Sequence, residues 1–245
     1  MTDTILTLEH VRQLTPDTYE LVLSGELSAQ TRPGQFINLQ LPGKFLRRPI
    51  SVAAWSPEAV LLIVREAGEG TRALVRAEPG ARFPALTGLG NGFDAAAGGD
   101  HPVLIGGGVG AAPLYGLAQT LLARGVTPAV ALGFRTAADI FYLKEFLALG
   151  CQTFTATEDG SAGTRGFVTD LAAHLSGCRY AFVCGPTPML KAVYALPQFS
   201  GGQYSFESRM ACGFGACMGC TIETASGPKR VCRDGPVFRK EEIVW

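Results

Sequence analysis

The feature that most constrains this chain is a group of four cysteines near its C-terminal end. They have the spacing Cys-x4-Cys-x2-Cys, with a fourth cysteine after eleven more residues, and they are Cys212, Cys217, Cys220 and Cys232. This is the plant-type ligand pattern of a two-iron two-sulfur (2Fe-2S) cluster, which is held by four thiolates. Glycines at positions 213, 215 and 219 allow the tight turns that wrap a small inorganic core. The spacing therefore predicts a 2Fe-2S site.

Two other uses of four cysteines fit this spacing less well. A structural zinc site usually consists of two Cys-x2-Cys pairs, whereas here one gap has four residues and the last cysteine stands alone. Disulfide bonds belong to oxidising compartments, and the N-terminal Met1-Thr2-Asp3-Thr4 lacks the basic start of a secretory signal. Both alternatives remain weaker than the cluster on this pattern.

Charge and hydropathy disfavour several classes of protein. The chain has 21 basic and 21 acidic side chains without a long run of either sign, so no nucleic-acid or anionic-membrane partner is expected. No stretch approaches the roughly 18 unbroken apolar residues of a membrane helix. We therefore expect a cytoplasmic protein that acts on small molecules.

Residues 1–97 show short, β-rich runs that are separated by turn residues such as Pro33-Gly34 and Pro42-Gly43. The runs are Ile5–Leu8, Tyr19–Leu23, Phe36–Leu41, Ile50–Trp55 and Val60–Val64. An antiparallel barrel buries many short strands without leaving open edges. The pattern predicts an N-terminal antiparallel β-barrel.

Two local features of this segment are suited to holding an anion. Arg47 and Arg48 directly precede a strand whose start is fixed by a proline, where a guanidinium group can bind a phosphate with two hydrogen bonds. Further on, Gly68-Glu69-Gly70-Thr71 opens a short predicted helix over residues 71–77, whose free amides attract anions. Taken separately, an arginine pair is more often a solvated surface feature, and such a turn is more often only a turn.

Residues 98–200 change to alternating strands and helices, which predicts a parallel-sheet α/β domain. The strand Val103–Ile105 is followed by a glycine-rich turn and a helix over residues 113–124. Gly106, Gly108 and Ala111 satisfy G-x-G-x-x-G/A in the strand-turn-helix context of dinucleotide binding, and Gly110 lies in the same turn. This motif predicts a nucleotide-binding loop.

The expected acidic residue for the ribose of NAD is missing at the end of the next strand. The strand Ala129–Leu132 runs into Gly133-Phe134-Arg135, where an aspartate or glutamate takes the ribose hydroxyls in a standard dinucleotide fold. Arg135 suits a 2′-phosphate instead. The sequence therefore leaves NADH against NADPH open.

A resemblance to a known family rests on several segments that follow one order along the chain. Arg48-Pro49-Ile50-Ser51, Arg65 and Gly70-Thr71 resemble the FAD-binding signature of the ferredoxin reductase superfamily, with Ile50 at the position of its tyrosine. The segment from Cys184 to Met189 resembles its Cys-Gly-Pro-x-x-Met segment. The segments around Cys212 and Cys232 are similar to the cluster domain of the electron-transfer subunit of type B dihydroorotate dehydrogenase.

The resemblance implies cofactors and the residues that bind them. Arg48 would bind the FAD pyrophosphate, Ser51 would lie near the reactive flavin nitrogen, and Gly70 with Thr71 would cover the phosphates. The thiol of Cys184 would lie beside the nicotinamide, although a buried thiol at a strand end is otherwise simply packed in the core. The full set of implied FAD and NAD contacts is Arg48, Pro49, Ile50, Ser51, Ile63, Val64, Arg65, Gly70, Thr71, Gly106, Gly108, Gly110, Cys184, Gly185, Pro186 and Met189.

The same resemblance implies a multidomain electron-transfer subunit. Residues 1–97 would bind FAD, residues 98–200 NAD, and residues 201–245 the 2Fe-2S cluster. The partner would be an FMN-containing dihydroorotate dehydrogenase catalytic subunit, in a heterotetramer with two copies of each chain. The electrons of dihydroorotate oxidation to orotate, a step of pyrimidine biosynthesis, would pass through the cluster and FAD to NAD+.

Two alternative functions remain open at this point. The NAD(P)H-flavin reductase subunits of hydrogenases, sulfide dehydrogenases and ferredoxin:NADP transhydrogenases share the same architecture. A non-enzymatic binding module with a zinc-stabilised tail is the alternative of another class.

Several residues are left without a cofactor role. The cluster loop has an apolar covering of Ala211, Phe214, Ala216 and Met218, which either faces a partner subunit or packs on the barrel of the chain itself. No motif surrounds Cys151, Cys178, His10, His101 or His174.

Overall fold

Six antiparallel strands form a closed barrel in the N-terminal part of the computed structural model, which describes residues 1–245. Their order around the barrel is β1-β2-β5-β4-β3-β6. In chain order they are β1 (Thr2–Gln13), β2 (Thr18–Ser24), β3 (Phe36–Leu39), β4 (Arg48–Trp55), β5 (Ala59–Arg65) and β6 (Arg82–Leu89). The predicted barrel is confirmed, and each of the five predicted runs overlaps one strand.

The strand that the sequence reading missed is β6, which closes the barrel between β1 and β3. Its alternate residues Phe83, Ala85, Thr87 and Leu89 are buried, because successive side chains of a strand point to opposite faces. Pro84 and Gly88 interrupt the β-branched and aromatic composition that is typical of a strand. For this reason the sequence did not predict β6.

The remaining strands form a seven-stranded sheet and a separate hairpin. In chain order they are β7 (Pro102–Gly107), β8 (Ala129–Phe134), β9 (Gln152–Thr157), β10 (Thr164–Arg165), β11 (Tyr180–Cys184), β12 (Gly201–Ser205), β13 (Thr221–Thr224), β14 (Gly227–Arg230) and β15 (Val237–Arg239). The order in the sheet is β10-β9-β8-β7-β11-β12-β15, and β13 pairs with β14. All neighbours in the sheet are parallel except β12 and β15.

Four α-helices accompany these strands: α1 (Glu69–Val75), α2 (Ala111–Ala123), α3 (Leu143–Ala148) and α4 (Thr187–Tyr194). Short 3-10 helices lie at Ala95–Gly98, Gly108–Gly110, Ala137–Asp139, Val168–Leu175 and Lys240–Glu242. The predicted helices over 71–77 and 113–124 each begin two residues earlier than expected. None of the helices has both the length and the apolarity needed to cross a membrane.

The order of the parallel strands creates a crevice at one edge of the sheet. The chain moves outward from β7 to β8 and β9 on one side, then returns to β11 on the other side of β7. Ligands of open α/β sheets bind at such a switch point, outside the carboxyl ends of the strands. The glycine-rich turn after β7 therefore lies where a nucleotide is expected.

The C-terminal segment with the four cysteines is built into this sheet. The strand β15 pairs with β12, with Phe238 opposite Tyr204. Cys220, Val231 and Cys232 belong to the same buried cluster as Val183 of the central sheet. The cluster segment therefore shares its hydrophobic core with the nucleotide-binding part of the chain.

The barrel and the sheet are also in direct contact. The helix α2 packs on β4 so closely that a Cβ atom at Gly116 would lie 2.6 Å from the carbonyl oxygen of Ala53. Ala53 and Ile63 of the barrel share a buried cluster with α2 and β7. Because apolar side chains cross the junction, the two parts hold a fixed cleft between them.

Candidate functional site

A cleft of about 280 Å³, here called the barrel cleft, opens between the barrel and the sheet. Nine predicted cofactor residues line it: Pro49, Ile50, Ser51, Ile63, Val64, Arg65, Thr71, Gly110 and Cys184. They come from β4, β5, α1, the turn after β7 and the end of β11. The structure thus brings together residues that lie far apart in the sequence.

Arg48 and Gly70 lie against each other and are not among the lining residues of this cleft, although their sequence neighbours Pro49 and Thr71 are. A Cβ atom at Gly70 would fall 2.1 Å from Nε of Arg48, so the guanidinium group occupies the space that a side chain at position 70 would take. The hydroxyl of Thr71 accepts hydrogen bonds from the amides of Ala67 and Gly68, at 2.9 and 3.2 Å. A guanidinium group beside a tight, hydroxyl-braced turn fits the charge and shape of a pyrophosphate.

A second cleft of about 520 Å³, here called the sheet cleft, lies at the carboxyl ends of the parallel strands. Gly108, Pro186 and Met189 line it, whereas Gly106 and Gly185 are not among its lining residues. Gly108 has a left-handed φ of +51°, and a Cβ atom there would meet nothing within 4 Å. The helix α2 that follows has no side-chain cap at its N-terminus, which leaves the turn accessible to a phosphate group.

The turn after β7 and the end of β11 meet at Gly110 and Cys184. A Cβ atom at Gly110 would lie 2.1 Å from the carbonyl oxygen of Cys184. Burial raises the pKa of the Cys184 thiol to about 12, with a smaller rise from Glu207 and an opposing hydrogen bond with Ser205. The thiol is therefore neutral at physiological pH and lies in the wall of the barrel cleft.

Three residues, Arg65, Val109 and Glu207, line both clefts. Arg65 also forms an ion pair with Asp17, with Nε and Oδ2 2.8 Å apart. Burial raises the pKa of Glu207, and the charge of Arg65 opposes that rise. The two clefts therefore adjoin, and a carboxyl group with a raised pKa lies where they meet.

The four cysteines of the cluster motif lie as two pairs. The amide of Cys217 donates to Sγ of Cys212 at 3.5 Å, and the amide of Cys232 donates to Sγ of Cys220 at 3.4 Å. Four thiolates shared between two irons amount to two per iron, so the paired arrangement fits the cluster.

The loop around Cys212 stabilises negative charge on sulfur. Burial would raise the pKa of the Cys212 thiol, but hydrogen bonds from the amides of Cys217, Phe214 and Ala216 lower it to about 6. In the other pair, burial and the neighbouring Cys220 raise the pKa of Cys232 to about 12. Crowded thiols of this kind lose their protons when a metal binds, because the cationic core offsets their repulsion.

Two of the three loop glycines have the expected positive φ. Gly213 has a φ of +79° and Gly215 a φ of +93°. Gly219 does not, and the left-handed residue beside it is Met218, with a φ of +61°. A left-handed backbone conformation is uncommon for methionine. The side chain of Met218 is 54% exposed.

Two contacts fix the cluster loop to the rest of the chain. Nδ2 of Asn38, on β3, donates to the carbonyl oxygen of Cys212 at 3.0 Å. Nη1 of Arg230 donates to the carbonyl oxygen of Gly215 at 2.9 Å. Met210, two residues before the first cysteine, lines the barrel cleft, so the loop begins at the wall of that cleft.

The sequence reading assigned no cofactor role to several residues that line the clefts. Phe206, Glu207 and Met210 follow β12 and line the barrel cleft, while Asp139 and Glu158 line the sheet cleft. Glu207 had one signal in the sequence, a carboxylate two residues after a buried strand. Asp139 and Glu158 had none, because only the sheet order brings the ends of β8 and β9 together.

Two family models match the chain. Residues 104–195 match the oxidoreductase NAD-binding domain. Residues 207–244 match the iron-sulfur cluster binding domain of dihydroorotate dehydrogenase B. The matched segments contain the glycine-rich turn and all four paired cysteines, respectively.

Curated relatives match almost the entire chain. The electron transfer subunit of dihydroorotate dehydrogenase B (NAD(+)) from Geobacillus thermodenitrificans is 42% identical over 252 aligned positions, covering 98% of this chain and 97% of the relative. The subunit of the same name from Lysinibacillus sphaericus is 41% identical and covers 95% of each chain. The similarity thus extends over the barrel, the sheet and the cysteine segment.

Solved structures agree with this fold. The NADH-dependent reduced ferredoxin-NADP oxidoreductase has a TM-score of 0.88 with 28% identity, covering 98% of this chain and 90% of that chain. The ferredoxin reductase of carbazole 1,9a-dioxygenase has a TM-score of 0.67 with 20% identity, covering 78% of this chain and 63% of that chain. The second similarity supports the fold alone.

Proposed function

Since the chain belongs to the family of electron transfer subunits of dihydroorotate dehydrogenase B, we propose that it passes electrons from a catalytic dehydrogenase subunit to NAD+. In the net reaction, dihydroorotate and NAD+ give orotate, NADH and a proton. The reaction is the oxidation step of pyrimidine biosynthesis. The alternative reductase functions and the zinc-stabilised module are less favoured, because relatives with this one name are 38–42% identical along nearly the whole chain.

The observation that carries the proposal is the succession of the three sites. The sheet cleft adjoins the barrel cleft through Arg65, Val109 and Glu207. The barrel cleft adjoins the cysteine loop through Met210, which lies two residues before Cys212. A nicotinamide, a flavin and a cluster in these sites would follow one another without a gap, in the order that the electrons require.

A flavin exchanges electron pairs with a nicotinamide and single electrons with an iron-sulfur cluster, so it converts between the two. The chain contributes binding and orientation. We propose that Arg48, packed over Gly70, holds the pyrophosphate of FAD, while Ile63, Val64 and Ser51 border its ring. Gly110 lets the turn after β7 approach the backbone of Cys184 closely, which would keep the nicotinamide near the flavin. Positioning of this kind is the main catalytic contribution expected of the protein.

The experiment that tests the function is co-expression with an FMN-containing dihydroorotate dehydrogenase catalytic subunit. The purified complex is expected to reduce NAD+ when dihydroorotate is added, which is measured as absorbance of NADH. Iron, sulfide and FAD are quantified in the same sample. A complex that contains all cofactors but responds only to ferredoxin or sulfide would contradict the proposal in favour of the rival reductases.

The variant Cys217→Ser tests whether the electrons pass through the 2Fe-2S cluster. Because Cys217 is one of the four proposed ligands, the variant is expected to lose the paramagnetic signal that appears after dithionite reduction, together with dihydroorotate-dependent NADH formation. Its reduction of ferricyanide by NADH, which needs only the flavin, should persist. The control is Cys151→Ser, which removes a buried thiol outside the four-cysteine motif, in the hydrophobic cluster that contains α2. Equal loss of signal in both variants would contradict the assignment.

The partner is proposed to cover the cysteine loop. Phe214 is 45% exposed and Met218 is 54% exposed, and Ala211 and Ala216 are exposed beside them. These four residues, here called the loop face, therefore do not pack on the barrel of the chain itself. An electron donor must come close to the cluster, and an apolar face around it is suited to a permanent subunit contact. We propose a heterotetramer with two copies of each chain.

The loop face is tested by the double variant Phe214→Ser and Met218→Asn. Asparagine tolerates the left-handed backbone of position 218, so the change removes apolar surface without adding strain. The variant is expected to keep the paramagnetic signal of its reduced cluster. In size-exclusion chromatography with mass determination, it should elute separately from the catalytic subunit. The control is Leu147→Asn, an equally exposed apolar residue on α3. Unchanged association of the double variant would reject the loop face as the contact.

The cellular location is proposed from the cysteines. None of the seven forms a disulfide in the structure, and reduced cysteines, as thiols or as metal ligands, persist in the reducing cytoplasm. We propose that the subunit acts there.

A further inference from the structure

Arg230, the last residue of β14, reaches from the hairpin of β13 and β14 to the cysteine loop. Its Nη1 donates to the carbonyl oxygen of Gly215 at 2.9 Å and lies 3.7 Å from Sδ of Met218. Both residues lie between Cys212 and Cys220, in the loop that carries three of the four proposed cluster ligands. A positive charge is therefore held against the backbone of this loop.

The carbonyl group that Arg230 contacts belongs to the same peptide group as the amide of Ala216. That peptide is trans, so its carbonyl and its amide point in opposite directions. The amide of Ala216 donates a hydrogen bond to Sγ of Cys212. A hydrogen bond accepted by the carbonyl oxygen polarises the peptide group and strengthens the hydrogen bond that the amide donates. Arg230 and the sulfur of Cys212 are thus connected through one peptide group.

Asp234 holds the guanidinium group of Arg230 in this position. Its Oδ2 accepts from the backbone amide of Arg230 at 2.8 Å and from Nε at 3.2 Å. The two side chains are 21% and 30% exposed, so water and salt screen their charges less than those of a fully exposed pair. The carboxylate orients the cation and offsets part of its charge. Removal of the cation and removal of the carboxylate therefore change the charge beside the loop in opposite directions.

A second arginine lies beside the same glycine without making this contact. A Cβ atom at Gly215 would lie 2.7 Å from Cδ of Arg233, so the carbon atoms of that side chain pack against the loop. The hydrogen bond to the carbonyl oxygen of Gly215 comes from Arg230, while the side chain of Arg233 is exposed. The two arginines carry the same charge and differ in their link to the peptide group that donates to Cys212.

We propose that Arg230 is a positioning residue that raises the reduction potential of the 2Fe-2S cluster, by polarising the peptide group that donates to Cys212. Reduction adds one electron, and hence one negative charge, to the cluster. A nearby cation and stronger hydrogen bonds to the sulfurs both favour that reduced state. The cluster is then a better acceptor for electrons from the catalytic subunit. This inference rests on the proposed use of the four cysteines as a cluster site, and it names a residue that tunes that site.

The test is a redox titration of the full chain loaded with FAD and cluster, followed by the paramagnetic signal of the reduced cluster. Arg230→Gln removes the charge and should lower the equilibrium constant for reduction about tenfold, the order of magnitude for one charge near a partly exposed site. For a one-electron couple, this corresponds to a shift of about 59 mV to more negative potential. Arg230→Lys keeps the charge but loses the planar fork, so its potential should lie between those of Arg230→Gln and the unmodified chain.

The second variant is Asp234→Asn, which keeps an oxygen that accepts from Arg230 and removes the opposing charge. Its potential is expected to shift to more positive values. A loop that was only loosened would not give shifts of opposite sign, because both substitutions weaken the same ion pair. The matched control is Arg233→Gln, which removes an equal charge beside Gly215 but leaves the hydrogen bond of Arg230 in place. Its shift should be clearly smaller than that of Arg230→Gln.

The outcomes separate this inference from the proposed function. An unchanged potential in Arg230→Gln overturns the role of Arg230, and so do equal shifts in Arg230→Gln and Arg233→Gln, which would show a general effect of charge. If Arg230→Gln does not keep its cluster, a potential of Asp234→Asn that is unchanged or more negative overturns the inference. An unmodified chain without the paramagnetic signal rejects the cluster site and the inference with it. If the potentials shift as expected while the co-expressed complex does not oxidise dihydroorotate, the inference stands and the proposed reaction fails.

Discussion

Asn38 is a barrel residue that holds the cysteine loop by a hydrogen bond. It is 1% exposed, and its Nδ2 donates to the carbonyl oxygen of Cys212 at 3.0 Å. A Cβ atom at Gly213 would lie 2.4 Å from the same nitrogen, so the side chain lies directly against the loop backbone. Such a support beyond the ligands themselves keeps a metal site in shape.

The prediction at this scale is that Asn38→Ala destabilises the cluster while the chain still binds FAD. The loss of the hydrogen bond frees the loop at its first cysteine, so the cluster absorbance should decay severalfold faster in the presence of an iron chelator. FAD content, measured after acid release, should stay near that of the unmodified chain because Asn38 does not line the barrel cleft. The control is Gln13→Ala, which removes an exposed amide far from the loop. Equal decay rates in the unmodified chain and in Asn38→Ala would contradict the prediction.

At the scale of elements, α3 and β2 are connected by one buried hydrogen bond between the sheet and the barrel. The hydroxyl of Tyr142, directly before α3, donates to Glu20 of β2 at 2.5 Å. Tyr142 has a left-handed φ of +61°, which is uncommon for a bulky residue. Burial would raise the pKa of Glu20, but hydrogen bonds from Arg12 and Tyr142 hold it below its usual value.

Tyr142→Phe is therefore expected to lower the free energy of unfolding by about 1.5–3 kcal/mol at pH 7, the range for a hydrogen bond to a charged group. Because the pKa of Glu20 is lowered in the folded chain, its stabilisation is complete above the unfolded value of about 4.3. It is lost as the pH falls through the lower folded value. The difference in the free energy of unfolding between the unmodified chain and Tyr142→Phe should thus shrink at pH values below about 4.

The measurement is denaturant unfolding of both proteins across this range of pH. Tyr115→Phe is the control, since the ring of Tyr115 contacts that of Tyr142 edge-on but its hydroxyl does not take part in the bond to Glu20. A constant difference at every pH would show that the effect of Tyr142 is packing and does not depend on the charge of Glu20.

At the scale of the whole molecule, the hydrophobic cores cross the boundaries between the three segments. One buried cluster joins Phe36 of the barrel, Val183 of the sheet and Val231 of the cysteine segment. A second joins Ala53 of the barrel to Leu117 of α2. Segments that share buried side chains unfold together, because neither can lose its core alone.

The corresponding prediction is a single calorimetric transition for the flavin-loaded chain, with release of FAD at the same temperature. Val231→Ala, in the cysteine segment, should shift the whole transition to a lower temperature. The expected loss in the free energy of unfolding is roughly 2 kcal/mol, the cost of two buried methyl groups and the cavity that they leave. Two resolved transitions, with FAD leaving in only one of them, would show that the segments unfold independently.

The sequence predicted the ligand types of the site better than their surroundings. The cysteine spacing, the arginine-proline strand start and the glycine-rich turn are local patterns, so each could be recognised within a few residues. Glu207 and Arg230 could not be assigned in this way. Each is a single charged side chain whose role depends on what other segments bring beside it, and neither strand order nor loop packing is a local property.

By itself, the sequence determined the barrel, the parallel sheet, the four-cysteine loop and the chemistry that their residues support, because periodicity, turn residues and ligand spacing are local. Only the tertiary structure decided how the three sites adjoin. It placed Arg65 and Glu207 between the two clefts, and it brought Asn38 and Arg230 against the cysteine loop. These contacts join residues that are distant in the chain, and they exist only because strand order and a shared core hold the elements against each other.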